Sequence, residues 1–302
     1  MAAAARQMEL SQAAKERSVW RRRLGVFWNS WDARASIVFL LAVIIIAIVP
    51  TGVWPDSASD VDLALRHVNP GDEGYFLGTD ALGRDMFYRI LLATKLTLLI
   101  SGVATLLATV SGAAAGLIAG YLQGSADTLI SRIVDIMLAF PIILLVLALV
   151  AALGQSSLNV ILVLGLSGWA GYARVIRSST LSLSRLDFVE AARCIGARND
   201  QIIIRHLLPN VASPMLVLST LILASFILVE SAISFLGLGP APPNVTWGGL
   251  IGDGRNYIYE AWWVTLFPGV AITLTVLAFN LMGDALRDAF DPYTTRPGTN
   301  GS

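Results

Sequence analysis

Six times along the chain, close to twenty consecutive residues pass with almost no charge, and that recurrence limits the fold more than any other feature. Residues 36–53, 97–119, 136–153 and 215–233 are the cleanest runs. Residues 263–282 are interrupted by Pro268 and Gly269, and 158–173 are short and carry Gly165, Gly168 and Gly171. A helix needs about 20 apolar residues to cross a bilayer. These runs are apolar on every side, unlike the alternating strands of a membrane barrel. With 55% hydrophobic and 14% charged residues, the chain as a whole is too apolar for an ordinary soluble domain. The expectation is an all-α integral membrane protein with six transmembrane helices.

Placement of charge orients these spans. Arg6, Lys15, Arg17, Arg21, Arg22, Arg23 and Arg34 precede the first run. Arg132 precedes the third, Arg174, Arg177, Arg185, Arg193, Arg198 and Arg205 follow the fourth, and Arg287 and Arg296 close the chain. Only Arg66, Arg84, Arg89, Lys95 and Arg255 fall on the other side. The positive-inside rule then puts both termini in the cytoplasm together with the loop 178–210, and makes 54–90 an external loop. Residues 1–35 read as a basic tail whose Trp20, Trp28 and Trp31 suit a helix lying on the inner leaflet. Residues 36–292 form the six-span domain, and 293–302 a flexible tail. The first apolar run starts too far in for a secretory leader.

Several classes of chemistry find no support. A formal net charge of zero gives no reason to expect a nucleic-acid partner. The single Cys194 excludes an intrachain disulfide, and with His67 and His206 it forms no zinc pattern, so no metal is expected. His67 reads as an exposed loop side chain, and Trp247, in the rigid stretch PAPPNVTWGG, as a residue suited to the membrane interface.

The stretch EAARCIGARNDQIIIRHLLPN, 190–210, stands out because its charges lie between two apolar blocks, and a charge at mid-bilayer costs several kcal/mol, roughly 3 or more. It must lie outside the membrane. Asp187 with Glu190 has the spacing of a capping box, which predicts a short helix over 188–195 ended by Gly196. A second helix follows over 201–207, and Pro209 then suits the first turn of the next span. The Ala191 and Ala192 face is small enough for close approach by another protein, and Glu190 offers it a charge.

These residues resemble the EAA motif of permeases in ATP-binding cassette (ABC) importers, E-A-A-x3-G-x9-I-x-L-P, with Glu190, Ala191, Ala192, Gly196, Leu208 and Pro209 matching. His206 stands where Ile is usual, as in the R-H-x-L-P-N variant of peptide importers. LGTDALGRDMFYRILLATKLTL, 77–98, resembles the G-T-D-x-L-G-R-D segment of C-type permeases of dipeptide and oligopeptide importers. ESAISFLGLGPAPPNVTWGGLI, 230–251, and FPGVAITLTVLAFNLMGDALRDAFDP, 267–292, are similar to that family's C-terminal half.

The resemblance implies a type I ABC importer permease architecture and a set of partners. These are a homologous second permease, two cytoplasmic ABC ATPases or ATPase domains, an extracytoplasmic peptide-binding protein and the lipid bilayer of a bacterial inner membrane. The chain has no G-x-x-x-x-G-K-[ST] loop, so ATP and Mg belong to the partner ATPases, no cofactor is expected here, and the chain is not an enzyme. Asp187, Glu190, Ala191, Ala192, Gly196, His206, Leu208 and Pro209 are the expected ATPase-coupling residues. Glu230 at the outer end of the fifth span, and Asp135 paired with Arg132 one turn earlier, are expected to serve gating or helix packing. Gly78, Asp80, Gly83, Arg84 and Asp85 form either a contact for the binding protein or a structural turn. The alternative is a self-sufficient six-span channel or a membrane enzyme, against which stand the missing H-E-x-x-H and G-x-S-x-G motifs and the unexplained charged loop.

Overall fold

The computed structural model describes residues 30–49 and 60–290. The expected interfacial helix around Trp20 and Trp28, and the expected flexible tail, lie outside them. The described residues are helical between turns, with one isolated bridge from Thr79 to Asp85. In chain order the helices are α1 (Trp31–Ile48), α2 (Met86–Leu122), α3 (Gly124–Leu138), α4 (Ile142–Leu153) and α5 (Ser157–Leu183). The short α6 (Asp187–Cys194), the long α7 (Asn199–Phe235), α8 (Trp247–Gly254) and α9 (Trp263–Phe290) follow. Among the described residues five helices, α1, α2, α5, α7 and α9, are long and apolar enough to cross a membrane, or six spans if α3 and α4 count as one.

The third expected span is where the structure departs from a row of straight rods. Residues 136–153 are not one helix: α3 and α4 meet at a bend of 84°. Phe140–Pro141 lies at the break, where the proline disfavours a helical residue before it and supplies no N–H of its own. The apolar run is continuous in the sequence because both arms of the bend are apolar near the corner.

At 37 residues α2 extends about 55 Å, well beyond a bilayer core of about 30 Å. It pairs with α5 along a ladder of glycines. A Cβ on Gly112, Gly116 or Gly120 would come within 2.7 Å of the carbonyl oxygens of Trp169, Ala173 and Arg177 respectively. Four-residue spacing keeps the glycines in register with α5, so the two backbones approach closely, with only the inner side-chain atoms of Tyr172, Ile176 and Thr180 beside the glycines. Tyr172 of α5 then donates to the Met215 carbonyl of α7 (2.9 Å), which ties the third long helix to the pair.

One end of the bundle carries a compact cap, residues 62–85. Asp80 organises it: its Oδ1 accepts from the backbone N–H groups of Leu82 (2.8 Å) and Arg84 (2.9 Å), and its Oδ2 from Arg84 Nε (2.8 Å). Asp85 caps α2 by accepting from Phe87 N (2.8 Å). Gly83 is required here: φ is +76°, and a Cβ would fall 1.8 Å from the Asp62 carbonyl oxygen. Trp263 Nε1 donates to the Thr79 carbonyl (3.0 Å), which pins the cap to the start of α9. Trp247, expected at the interface, is instead 2% exposed, its Nε1 donating to the Ile90 carbonyl (3.1 Å) and its backbone N–H to Thr97 Oγ1 (3.1 Å). An indole N–H buried with a partner is as well served inside a protein as at a headgroup.

Candidate coupling site

At the opposite end α6, Gly196 and the start of α7 form an elbow. The capping box is not where the spacing put it. Leu186 is the extended residue before α6, and Asp187 is already the first helical position, so its carboxylate sits in the first turn and does not cap it. Asp187 and Glu190 still lie near the positive end of the helix dipole, which suits them. Gly196 ends α6 as expected, with φ +81°. Ala197 N reaches the Ala192 carbonyl (3.0 Å) and Gly196 N the Arg193 carbonyl (3.0 Å), the paired bonds of a Schellman close. A Gln201 side chain accepting from Arg198 N (3.3 Å) starts α7.

The second short helix is not separate from the next span. Residues Ile202–Leu207 form a π-helical turn, with Leu208 N bonded to the Ile203 carbonyl, and run straight on as α7. Pro209 lies in the first α-helical turn after the π-turn, as expected, and that turn continues the same rod. Its missing N–H and bulky ring are accommodated by the widened turn just before it. Asn210 Nδ2 donates to the His206 carbonyl (2.6 Å), supplying a bond at the widened turn. His206 and Leu208 are half-buried along this turn, and Pro209 is exposed.

Eight residues are too few for a helix to stand alone, so α6 needs an anchor. Val189 and Ala192 provide it, 0% and 5% exposed, packed in a cluster with Leu117 and Tyr121 of α2, Ile176 of α5, and Ile202 and Leu207. Full burial of a valine side chain is worth about 1.5 to 3 kcal/mol. Ala192, expected on the docking face, therefore belongs to the anchor. The free face is Asp187, Glu190, Ala191, Cys194 and Ile195, with Ile195 85% exposed. Phe188 and Ile204 add exposed apolar surface beside it.

The structure also relocates the other expected residues. Asp135 pairs not with Arg132 but across the helix interface with Arg174, and Asp127 is held by both Arg177 Nε and Arg177 Nη2, the latter at 2.7 Å. Two carboxylates on α3 thus face two guanidinium groups on α5, a partnership that spacing within α3 cannot reveal. Glu230 is fully buried and accepts from Ser234 Oγ (2.7 Å), so it faces protein and not lipid. Gly78, Asp80, Gly83 and Asp85 are buried and make the structural turn, and only Arg84 is half-exposed. Burial pushes the Asp85 carboxyl above its ordinary range, against the pull of the two N–H groups it caps. His67 is not exposed as expected: its side chain is 13% accessible, 3.7 Å from Glu260 and in tilted contact with the Tyr257 ring, 4.9 Å between centres. Burial holds it below its ordinary value of 6.5.

Sequence reasoning missed Tyr121, Arg193 and Asn199, which meet at the root of the elbow, and the glycine ladder of α2. The ladder had a visible signal in the G-x-x-x-G-x-x-x-G spacing of 112–120. The Tyr121 contact had none, because 72 residues separate it from Arg193.

A membrane bundle that buries its polar groups at one end and presents an anchored elbow with a bare face at the other has the form of a transporter's transmembrane subunit. The chain belongs to the family of binding-protein-dependent transport system inner membrane components, matched over residues 112–296, and is an integral inner-membrane permease subunit. It is 40% identical to the dipeptide transport system permease protein DppC of Alkalihalophilus pseudofirmus over 275 residues, covering 91% of this chain and 90% of that one. It is 37% identical to the oligopeptide transport system permease protein OppC of Haemophilus influenzae, covering 91% and 89%. It is 39% identical to the glutathione transport system permease protein GsiD of Pectobacterium atrosepticum, covering 91% and 90%. The fold is shared with a chain of the MetNI methionine ABC transporter at a TM-score of 0.55 and 20% identity, over 68% of this chain and 98% of that one. The architecture is accordingly that of a type I ABC importer permease.

Proposed function

We propose that the chain is the permease subunit of an ATP-driven peptide importer. The elbow is cytoplasmic, the cap 62–85 is external, and both termini are inside, in keeping with the asymmetry of basic residues. The translocation path forms between this chain and a homologous second permease. Two cytoplasmic ABC ATPases or ATPase domains hold the ATP and Mg, and an external binding protein delivers peptide. The chain itself binds no nucleotide and performs no covalent chemistry.

The observation that carries this reading is the free face of α6. Glu190, Ala191, Cys194 and Ile195 are exposed on a helix anchored by its opposite side, which is the disposition of a part that presses against another protein. A channel or an enzyme gives that face nothing to do. Peptide as substrate class is supported by the names of the relatives, whose dipeptide, oligopeptide and glutathione cargoes share an amide-linked backbone. When the ATPases close on ATP, the docked α6 is displaced, and the bundle exchanges between inward-open and outward-open forms.

Cys194 makes the test direct, because the only thiol of the chain lies exposed on the proposed face. A short thiol-to-amine crosslinker applied to native membranes, followed by purification through a tag on this chain, is expected to trap one ATPase subunit, and Cys194→Ser to abolish the product. Recovery of the chain without any ATPase, crosslinked or not, would refute the docking role of the elbow.

A further inference from the structure

Tyr121 is the last aromatic residue of α2, one position from its end, and is 4% exposed. Its hydroxyl makes two contacts of opposite sense. It donates to Asn199 Oδ1 (2.9 Å), the first residue of α7, and accepts from Arg193 Nε (3.4 Å) near the end of α6. The Arg193 guanidinium also lies over the ring, 4.9 Å from its centre. One phenol therefore holds both arms of the elbow, on either side of the glycine that sets its angle.

The position matters because of what α2 is attached to. The ladder Gly112, Gly116 and Gly120 ends directly before Tyr121 and fixes α2 against α5. The far end of the same helix is capped by Asp85 and tied through Arg89 to Asp80 (3.3 Å). A displacement of α6 passed to Tyr121 reaches, through a single uninterrupted helix, the opposite end of the bundle. Val189 and Ala192 also touch this region, but apolar contacts slide, whereas a hydroxyl with one donor and one acceptor partner fixes distance and direction.

We propose that Tyr121 is a positioning residue for coupling: through Arg193 and Asn199 it transmits movement of the docked elbow to the α2–α5 pair. The inference rests on the reading of the elbow as the ATPase docking element. It makes Tyr121 dispensable for docking and necessary for converting docking into transport.

The test uses the complete transporter, reconstituted with its second permease, ATPases and binding protein, and reads peptide translocated per ATP hydrolysed. Tyr121→Phe keeps the ring and its stacking on Arg193 and removes only the hydroxyl. The expected result is that the ATPases copurify in normal amount, ATP hydrolysis persists, and the transport-to-hydrolysis ratio falls about fivefold, the factor set by one hydrogen bond of ordinary net strength. Asn199→Ala is expected to lower the ratio similarly, and the double variant no further, because both remove the same link. An unchanged ratio in Tyr121→Phe would overturn the proposal. So would loss of the ATPases from that variant, which would make Tyr121 part of docking itself. Failure of the docking reading is read separately, from recovery of the unaltered chain without any ATPase, crosslinked or not.

Discussion

The cap and the elbow are each about twenty-five residues, each rich in charge, and each carries a recognisable motif, yet they dispose of their polar groups in opposite ways. In the cap the charges turn inward. Asp80 is 3% exposed and Arg89 4%, and the acid accepts from two backbone N–H groups and one guanidinium while lying 3.3 Å from the other. In the elbow Asp187, Glu190, Arg198 and Asp200 are exposed, and large apolar side chains stand in solvent beside them. Burying a charge costs several kcal/mol, on the order of 3 to 5, unless its partners are all present, so the cap can exist only as a finished structure. The elbow is finished on one side only. A motif therefore marks a structural joint when its charges turn inward and pair with one another, and a meeting place when they turn outward.

The sharpest way to break this contrast is Asp80→Ala. It leaves Arg89 buried with Asp253 at 3.8 Å as its remaining acid, and is expected to cost about 3 to 5 kcal/mol. Thermal unfolding in detergent should show a large loss of Tm; a variant as stable as the parent would mean the cap is not the closed unit its geometry describes. Gly196→Ala comes next. A side chain at φ +81° strains the backbone by about 1 to 2 kcal/mol although space is open around it. Faster hydrogen exchange confined to 187–200, with global Tm little changed, is the expected outcome, and exchange spreading into α2 would show that the elbow is not a separable element. The smallest stability effect belongs to Ile195→Ser, on the bare face. It should stay within about 0.5 kcal/mol of the parent while weakening copurification of the ATPases. A clear loss of stability there would show that the face is already covered within the chain.

The positions of the spans could be read from the sequence because apolar runs of bilayer length admit few alternatives. Their ends could not. Hydropathy stops α2 near Thr97, but the helix starts at Met86, since Arg89 and Thr94 are covered by protein instead of being left in lipid. Pro141 was visible, yet nothing in the run 136–153 says that the chain turns by 84° there and does not merely kink. In the elbow Gly196 announced its backbone conformation, because only that residue takes it cheaply. Ala192 shares a face with Val189 three residues earlier, but which face of so short a helix is covered is decided by Leu117, Tyr121 and Ile176, distant in sequence. Asp135 and Arg174 are 39 residues apart, and their pairing is a fact of helix packing that no local spacing encodes.

The glycine ladder has a mechanical consequence. Two helices that approach this closely at three successive turns leave only a thin layer of side-chain atoms between them to shear, so α2 and α5 are expected to move as one plank. The alternating opening proposed above then has to place its compliance elsewhere, at the corner between α3 and α4 or along α7 with its widened turn and its internal Pro214. Spin labels on α2 and α5 would then serve as a ruler of constant length through the whole cycle, against which the travel of every other part can be measured.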